Sequence, residues 1–254
     1  MKIELWKNRN FSNKNPINYP CPRCNVGFLT PKSIATEITQ VGVDMEYYNY
    51  HDGIEHIFSG ILICKNSDCK ELISISGRCL KDIVYGKELP SGEMVEDRFS
   101  TYYPKYFYPN LKLFNIEKEI PDEIAIQINL AFSHYFSDLS SCANRIRNSI
   151  ELILDDLKAP IKAKNKLGKL YLFTSLHQRI EHFKKRNSTI AKLLLALKII
   201  GNEGSHIGEI KQEDVLDAFE ILEELLEFVY INKRKRVVKL AQEIVVRNKP
   251  RSKK

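Results

Sequence analysis

The stretch PDEIAIQINLAFSHYF, residues 121–136, is where the chain changes character. Before it the apolar residues fall in short β-prone runs; from Pro121 onward they recur at helical spacing. Pro121 suits a first helical turn, and Asp122 and Glu123 behind it sit at the positive end of the dipole. Ile124, Ile128, Ala131, Phe132, Tyr135 and Phe136 then share one apolar face. The chain therefore reads as α+β, with a small β-rich region followed by an up-and-down helical bundle.

Downstream, Ala143, Ile146, Ile150, Ile153, Leu154 and Leu157 mark a second helix over about 141–157. Further helices are expected near 169–186 and 189–200. A long last one carries Val215, Leu216, Phe219, Leu222, Leu226 and Val229 and continues weakly to about Val246. Upstream, Tyr102-Tyr-Pro-Lys-Tyr-Phe-Tyr-Pro109 is expected to run extended as an aromatic connector. The expected organisation is a β-rich region at 1–100, a connector at 101–120, a bundle at 121–232 and a basic helix end and tail at 233–254.

Within the first region Cys21-Pro-Arg-Cys24 and Cys64-Lys-Asn-Ser-Asp-Cys69 are two cysteine pairs, each spaced so that a tight turn brings both thiolates to one tetrahedral ion. Ile54–Ile63 and Leu72–Cys79 are β-prone runs flanking the second pair, and Gly27, Gly42 and Gly53 punctuate the insert. This is the pattern of a zinc ribbon with Cys21, Cys24, Cys64 and Cys69 as ligands. Four thiolates close the coordination sphere, so the Zn2+ expected here is structural. Cys79 and Cys142 have no partner at ligand spacing and are expected as buried thiols.

With 254 residues, 43% of them hydrophobic, the chain can bury a real core, which excludes intrinsic disorder. No run approaches the length of a membrane span, and the start MKIELWKNRN is charged where a signal peptide is apolar. A cytoplasmic protein without membrane association is the expectation. The net charge of +7 is not spread evenly: residues 233–254 hold ten Lys and Arg and one acid, and the rest of the chain balances to −2. Lys233, Arg234, Lys235, Arg236, Arg247 and Arg251 are thus candidates for phosphate contacts. From Glu203 to Glu227 nine acids face only Lys211, so the basic tail could equally dock on the acidic face of a second copy.

Between the last two helices lies Lys198-Ile-Ile-Gly-Asn-Glu-Gly-Ser-His-Ile-Gly208. Gly201 can end a helix in the left-handed conformation, and a short glycine-rich connection would then carry His206, whose imidazole can give and take a proton near neutral pH. The bland alternative is that His206 and Asn202 only cap helix ends.

The two cysteine pairs, the Tyr/Pro stretch, "IP" before the helices, Arg147-Asn-Ser-Ile-Glu-Leu152 and "IGNEGSH" together resemble the family called domain of unknown function 4145, across roughly residues 19–230. Its helical half is similar to the HEPN superfamily, named for higher eukaryotes and prokaryotes nucleotide-binding. The resemblance implies an intracellular microbial protein associated with restriction and phage defence, a homodimer, and partners among RNA and defence-system proteins. Many HEPN proteins are metal-independent ribonucleases in which an Arg and a His, separated by a short spacer, meet across a dimer interface. The positions where that Arg belongs hold Ile199, Ile200 and Gly201, and the nearest cation is Lys198, a point charge without the bidentate fork. Arg145 or Arg147 of the second helix could supply the guanidinium in three dimensions, so His206, Asn202, Lys198, Arg147 and Arg145 form the candidate catalytic set. The competing expectation is a binding or assembly module without catalysis.

Overall fold

Alternation of apolar and polar residues makes the first part of the chain a sheet. A computed structural model describes every residue except 51, 89–93, 165–166, 204–209, 232 and 248–254, and gives the backbone alone for 83–88, 94–98, 203, 233–236, 239 and 246. Strands β1 (Phe11–Ser12), β2 (Leu29–Ile38), β3 (Ile54–Cys64), β4 (Leu72–Glu88) and β5 (Met94–Tyr108) form one antiparallel sheet in the order β1-β5-β4-β3-β2. On β3, Ile54, His56 and Phe58 point into the core while Glu55, Ile57 and Ser59 face outward. Helix α1 (Gln40–Tyr47) joins β2 to β3. It lies so close to β3 that a Cβ on Gly42 would come within 2.2 Å of the Glu55 carbonyl oxygen.

The second part comprises α2 (Asp122–His134), α3 (Leu139–Asp156), a two-stranded hairpin of β6 (Lys162–Lys164) and β7 (Leu170–Leu172), α4 (Leu176–Phe183), α5 (Ser188–Glu203), α6 (Gln212–Leu226) and α7 (Lys233–Arg247). Asp138 caps α3 by accepting from the backbone N–H groups of Ser140 and Ser141, and these bonds hold its carboxyl below the usual carboxylate range, the Ser141 hydroxyl contributing most. Helix α3 is central, packing on α2, α5 and α6. Seven of its residues are buried, as are seven of α6, at about 1.5–3 kcal/mol for each large aliphatic side chain. Sheet and helices share one core, in which Trp6, Tyr19, Phe107, Tyr135, Phe136 and Phe219 all take part.

The mixed α+β architecture and the first two helices agree with the sequence expectation. Elsewhere the structure differs. Tyr102–Tyr108 runs extended as expected, but as the last half of β5, paired with β4 from Ser74 to Cys79, and not as a connector after the sheet. Pro104 lies opposite Gly77 at a register shift, where a missing N–H is tolerated. The helix expected over 169–186 is reduced to α4, because Leu170–Leu172 pairs with Lys162–Lys164 instead. The long last helix is divided: α6 ends at Leu226, a π-helical turn covers Glu227–Ile231, and α7 follows.

Gly201 is the most informative difference. It does not end a helix but lies inside α5, where a Cβ would fall 2.7 Å from the Cβ of Arg147 and 3.4 Å from the Ala143 carbonyl oxygen. Its role is the close approach of α5 to α3. In an open helix Gly→Ala gains about 1 kcal/mol of stability, whereas Gly201→Ala is expected to lose about 1–3 kcal/mol because the two helices must separate. A lowered urea midpoint would show the contact; a raised midpoint would refute it.

Candidate functional site

Two loops build the cysteine cluster. Cys21 and Cys24 lie on a turn closed by the Pro20–Phe28 bridge, by Cys21 N–H donating to the Gly27 carbonyl at 2.8 Å and by Asn25, whose φ of +54° suits an Asn. Cys64 ends β3 and Cys69 precedes β4, on a turn in which the Asn66 side chain accepts from Asp68 N–H and the Asn66 carbonyl accepts from Cys69 and Lys70. The loops meet through Lys65 N–H on the Phe28 carbonyl and an Arg23–Glu71 ion pair at 3.0 Å.

All four sulfurs lie within 4.8 Å of one another, with Cys21–Cys69 at 3.8 Å and Cys24–Cys64 at 3.7 Å, and none is in a disulfide. A tetrahedron of sulfurs about 2.3 Å from a central ion has edges of about 3.8 Å, so the quartet fits a metal ion. Gly27 N–H donates to the Cys24 sulfur at 3.3 Å. This bond and that from Val26 draw the Cys24 thiol down to about 6, while burial pushes Cys64 up to about 12. Gly27 is also sterically required: a Cβ there would lie 2.5 Å from the Cys64 sulfur. In the sequence Gly27 reads only as turn punctuation, because its neighbour across the gap comes from the other loop. His56, a conceivable substitute ligand, is buried in the sheet against the Ile54 carbonyl at 3.2 Å. Cys79 and Cys142 are buried thiols away from the quartet.

The helical candidates are brought together only in part. Arg147 of α3 lies against Gly201 in the last turn of α5, the helix that also carries Lys198 and Asn202. Its guanidinium pairs with Glu151 at 3.4 Å across one helical turn, and its Nε is enclosed without a partner among the described residues. Arg145 points elsewhere, donating to Gln127 of α2 at 3.3 Å. His206 lies outside the described residues, as does Arg251. Lys233, Arg234, Lys235 and Arg236 form the first turn of α7, and Arg247 at its end is exposed and pairs with Glu243 at 3.6 Å. A cleft of about 530 Å³ on the outer face of the sheet is floored by Ser59, Ser76 and Gly77. Its arginine, Arg78, is already neutralised by Glu55 at 2.8 Å.

The quartet yields a direct test. Purified protein is expected to retain about one metal ion per chain by elemental analysis, and Cys64→Ser or Gly27→Ala to lose it along with several degrees of thermal midpoint. A metal-free protein of unchanged midpoint would show that the cysteines merely pack.

Neither a curated protein nor a solved structure matches the chain. Among the described residues, no helix is long and apolar enough to cross a membrane. Residues 9–107, containing the four cysteines and the sheet, match the family described as Domain of unknown function (DUF8608). Residues 129–246, spanning Arg147, the α5 segment and α7, match the family described as Domain of unknown function (DUF4145).

Proposed function

We propose that the protein is a nucleic-acid-directed, HEPN-like ribonuclease that cleaves RNA without a catalytic metal, its sheet held by a structural Zn2+ on Cys21, Cys24, Cys64 and Cys69. The observation that carries this reading is Arg147 lying on the final turn of α5, five residues before His206 in sequence from Gly201. In this reading Arg147, from a neighbouring helix, takes the place of the guanidinium that the expected spacing lacks, its Cβ and Cγ packing at Gly201. Its bond to Glu151 is long and its side chain one-third exposed, so the pair is weak and open to competition from a phosphate.

In this reading His206 takes the proton from an RNA 2′-hydroxyl. The 2′-oxygen attacks phosphorus, the bond to the 5′-oxygen breaks, and the leaving oxygen takes back the proton held by His206, giving a 2′,3′-cyclic phosphate and a 5′-hydroxyl. Arg147 stabilises the charge that develops on the phosphoryl oxygens; Lys198 adds a point charge and Asn202 a hydrogen-bond donor. The four-thiolate site leaves no open coordination position, so the zinc takes no part in the cleavage. The basic residues of 233–254 add sequence-independent attraction for phosphates. A homodimer, a cytoplasmic location and a microbial defence setting accompany the reading through the family resemblance. A second reading, a binding or assembly module without catalysis, is favoured by one observation, the ion pair that already engages Arg147.

RNA incubated with the zinc-loaded protein in buffer lacking magnesium separates the two. Cleavage to 2′,3′-cyclic ends, reduced about 100-fold or more by His206→Ala and comparably by Arg147→Lys, supports the ribonuclease. The lysine variant keeps the aliphatic stem on Gly201, so its loss is not a folding effect. Absence of cleavage, or equal cleavage by both variants, overturns the ribonuclease reading.

A further inference from the structure

Helix α7 is amphipathic and exposed along its described length. All nine of its described side-chain positions are exposed, and Val237, Val238, Leu240 and Val245 show 50–61% of their surface. At helical spacing Val237, Leu240, Ala241 and Val245 share one side and Val238 borders it, an arc wide enough to seat a helix. The same helix carries six Lys and Arg and one acid. No glycine or proline occurs from Gln212 to Arg247, and only a π-helical turn and one further residue separate α6 from α7, so the chain offers no turn signal for folding α7 back on its own bundle.

The complement of this surface is present on the chain itself. Glu213, Asp217, Glu220 and Glu224 of α6 recur at four-, three- and four-residue steps and are all exposed, a carboxylate stripe along the outside of the bundle. No ion pair with a described residue engages Asp217, Glu220 or Glu224. Ile221, half-buried, and Phe228, 43% exposed, adjoin the stripe. One surface is therefore aliphatic and basic, the other apolar and acidic. A nucleic acid would satisfy the cations of α7 but offer its aliphatic side nothing. An anionic lipid surface would suit both, yet the remainder of the chain, with a balance of −2, gains nothing from approaching it.

We infer that α7 is an exchanged arm: in a homodimer, α7 of each copy lies on the acidic outer face of α6 of the other. The exchange is reciprocal, so one two-fold axis closes both contacts. Two α7 helices paired only with each other would set twelve cations side by side, which the carboxylate stripe avoids. The inference does not depend on RNA cleavage, because it uses neither His206 nor Arg147.

Sedimentation equilibrium of the full chain tests it. The wild type is expected to dimerise at low salt and to dissociate toward monomer at about 0.5 M salt. Asp217→Lys with Glu220→Lys and Glu224→Lys, or separately Lys235→Glu with Arg236→Glu and Lys239→Glu, should each weaken the dimer by about tenfold or more. The two variants mixed in equal amounts should dimerise again, because each then supplies the charge that the other needs. Val237→Gln with Leu240→Gln should weaken it as well, at exposed positions where folding is unaffected. A wild type that is monomeric at low salt, a dimer indifferent to both reversals, or a mixture that does not recover overturns the proposal. So does a monomer that binds phosphatidylserine vesicles through Val237 and Leu240.

Discussion

Tyr19 holds the two parts of the molecule together. Its ring is stacked on Trp6 at 5.7 Å and makes edge contacts with Phe107 from β5 and Phe136, in the turn after α2, at 5.9 and 5.4 Å. Tyr135 next to it donates to the Trp6 carbonyl at 2.6 Å, and Gln212 at the start of α6 donates to the Trp6 and Lys7 carbonyls and the Tyr135 hydroxyl. Aromatic pairs of this kind add about 0.5–1.5 kcal/mol each beyond their buried area. Several act here on one ring, so the orientation of the sheet against the helices depends on it. Burial pushes the hydroxyls of Tyr19 and Tyr135 well above the usual phenol range, which keeps both neutral as hydrogen-bond donors.

The joint and the cysteine quartet are parts of one device. Tyr19 is two residues from Cys21, and its carbonyl accepts from Leu29 at the start of β2. The backbone that positions the first two sulfurs thus also positions the ring against α2. Loss of the quartet's geometry would reach the helices through two peptide units. Arg147 and Gly201 lie on α3 and α5 and contribute no ligand to the quartet, so the thiolate site and the candidate phosphate site are chemically separate.

Spacing along one segment was legible; contacts between segments were not. The pattern from Ile124 to Phe136 identifies α2 because its face is set by its own residues, and the cysteine pairs reveal themselves because each knuckle is local. The extended course of Tyr102–Tyr108 was legible but its pairing with β4 was not, since Pro104 is accommodated opposite Gly77, where a Cβ would lie 2.2 Å from the Tyr103 carbonyl oxygen. Gly27 and Gly201 were misread for the same reason. A glycine that ends a turn and one that admits a neighbour's side chain look alike until the neighbour is known. Of the candidate catalytic set, Arg147 could be brought to α5 only by the packing of α3, and no spacing rule contains that packing.

Trp6 is the chain's only tryptophan, and it is 1% exposed at the joint. Indole emission from this protein therefore has a single origin, and that origin is the contact between the sheet and the helices. Stacked on Tyr19 and shut off from water, the indole should emit toward the blue, and parting of the two halves would shift it to the red even if each half kept its secondary structure. The molecule carries its own optical gauge of the joint, with no label to disturb it.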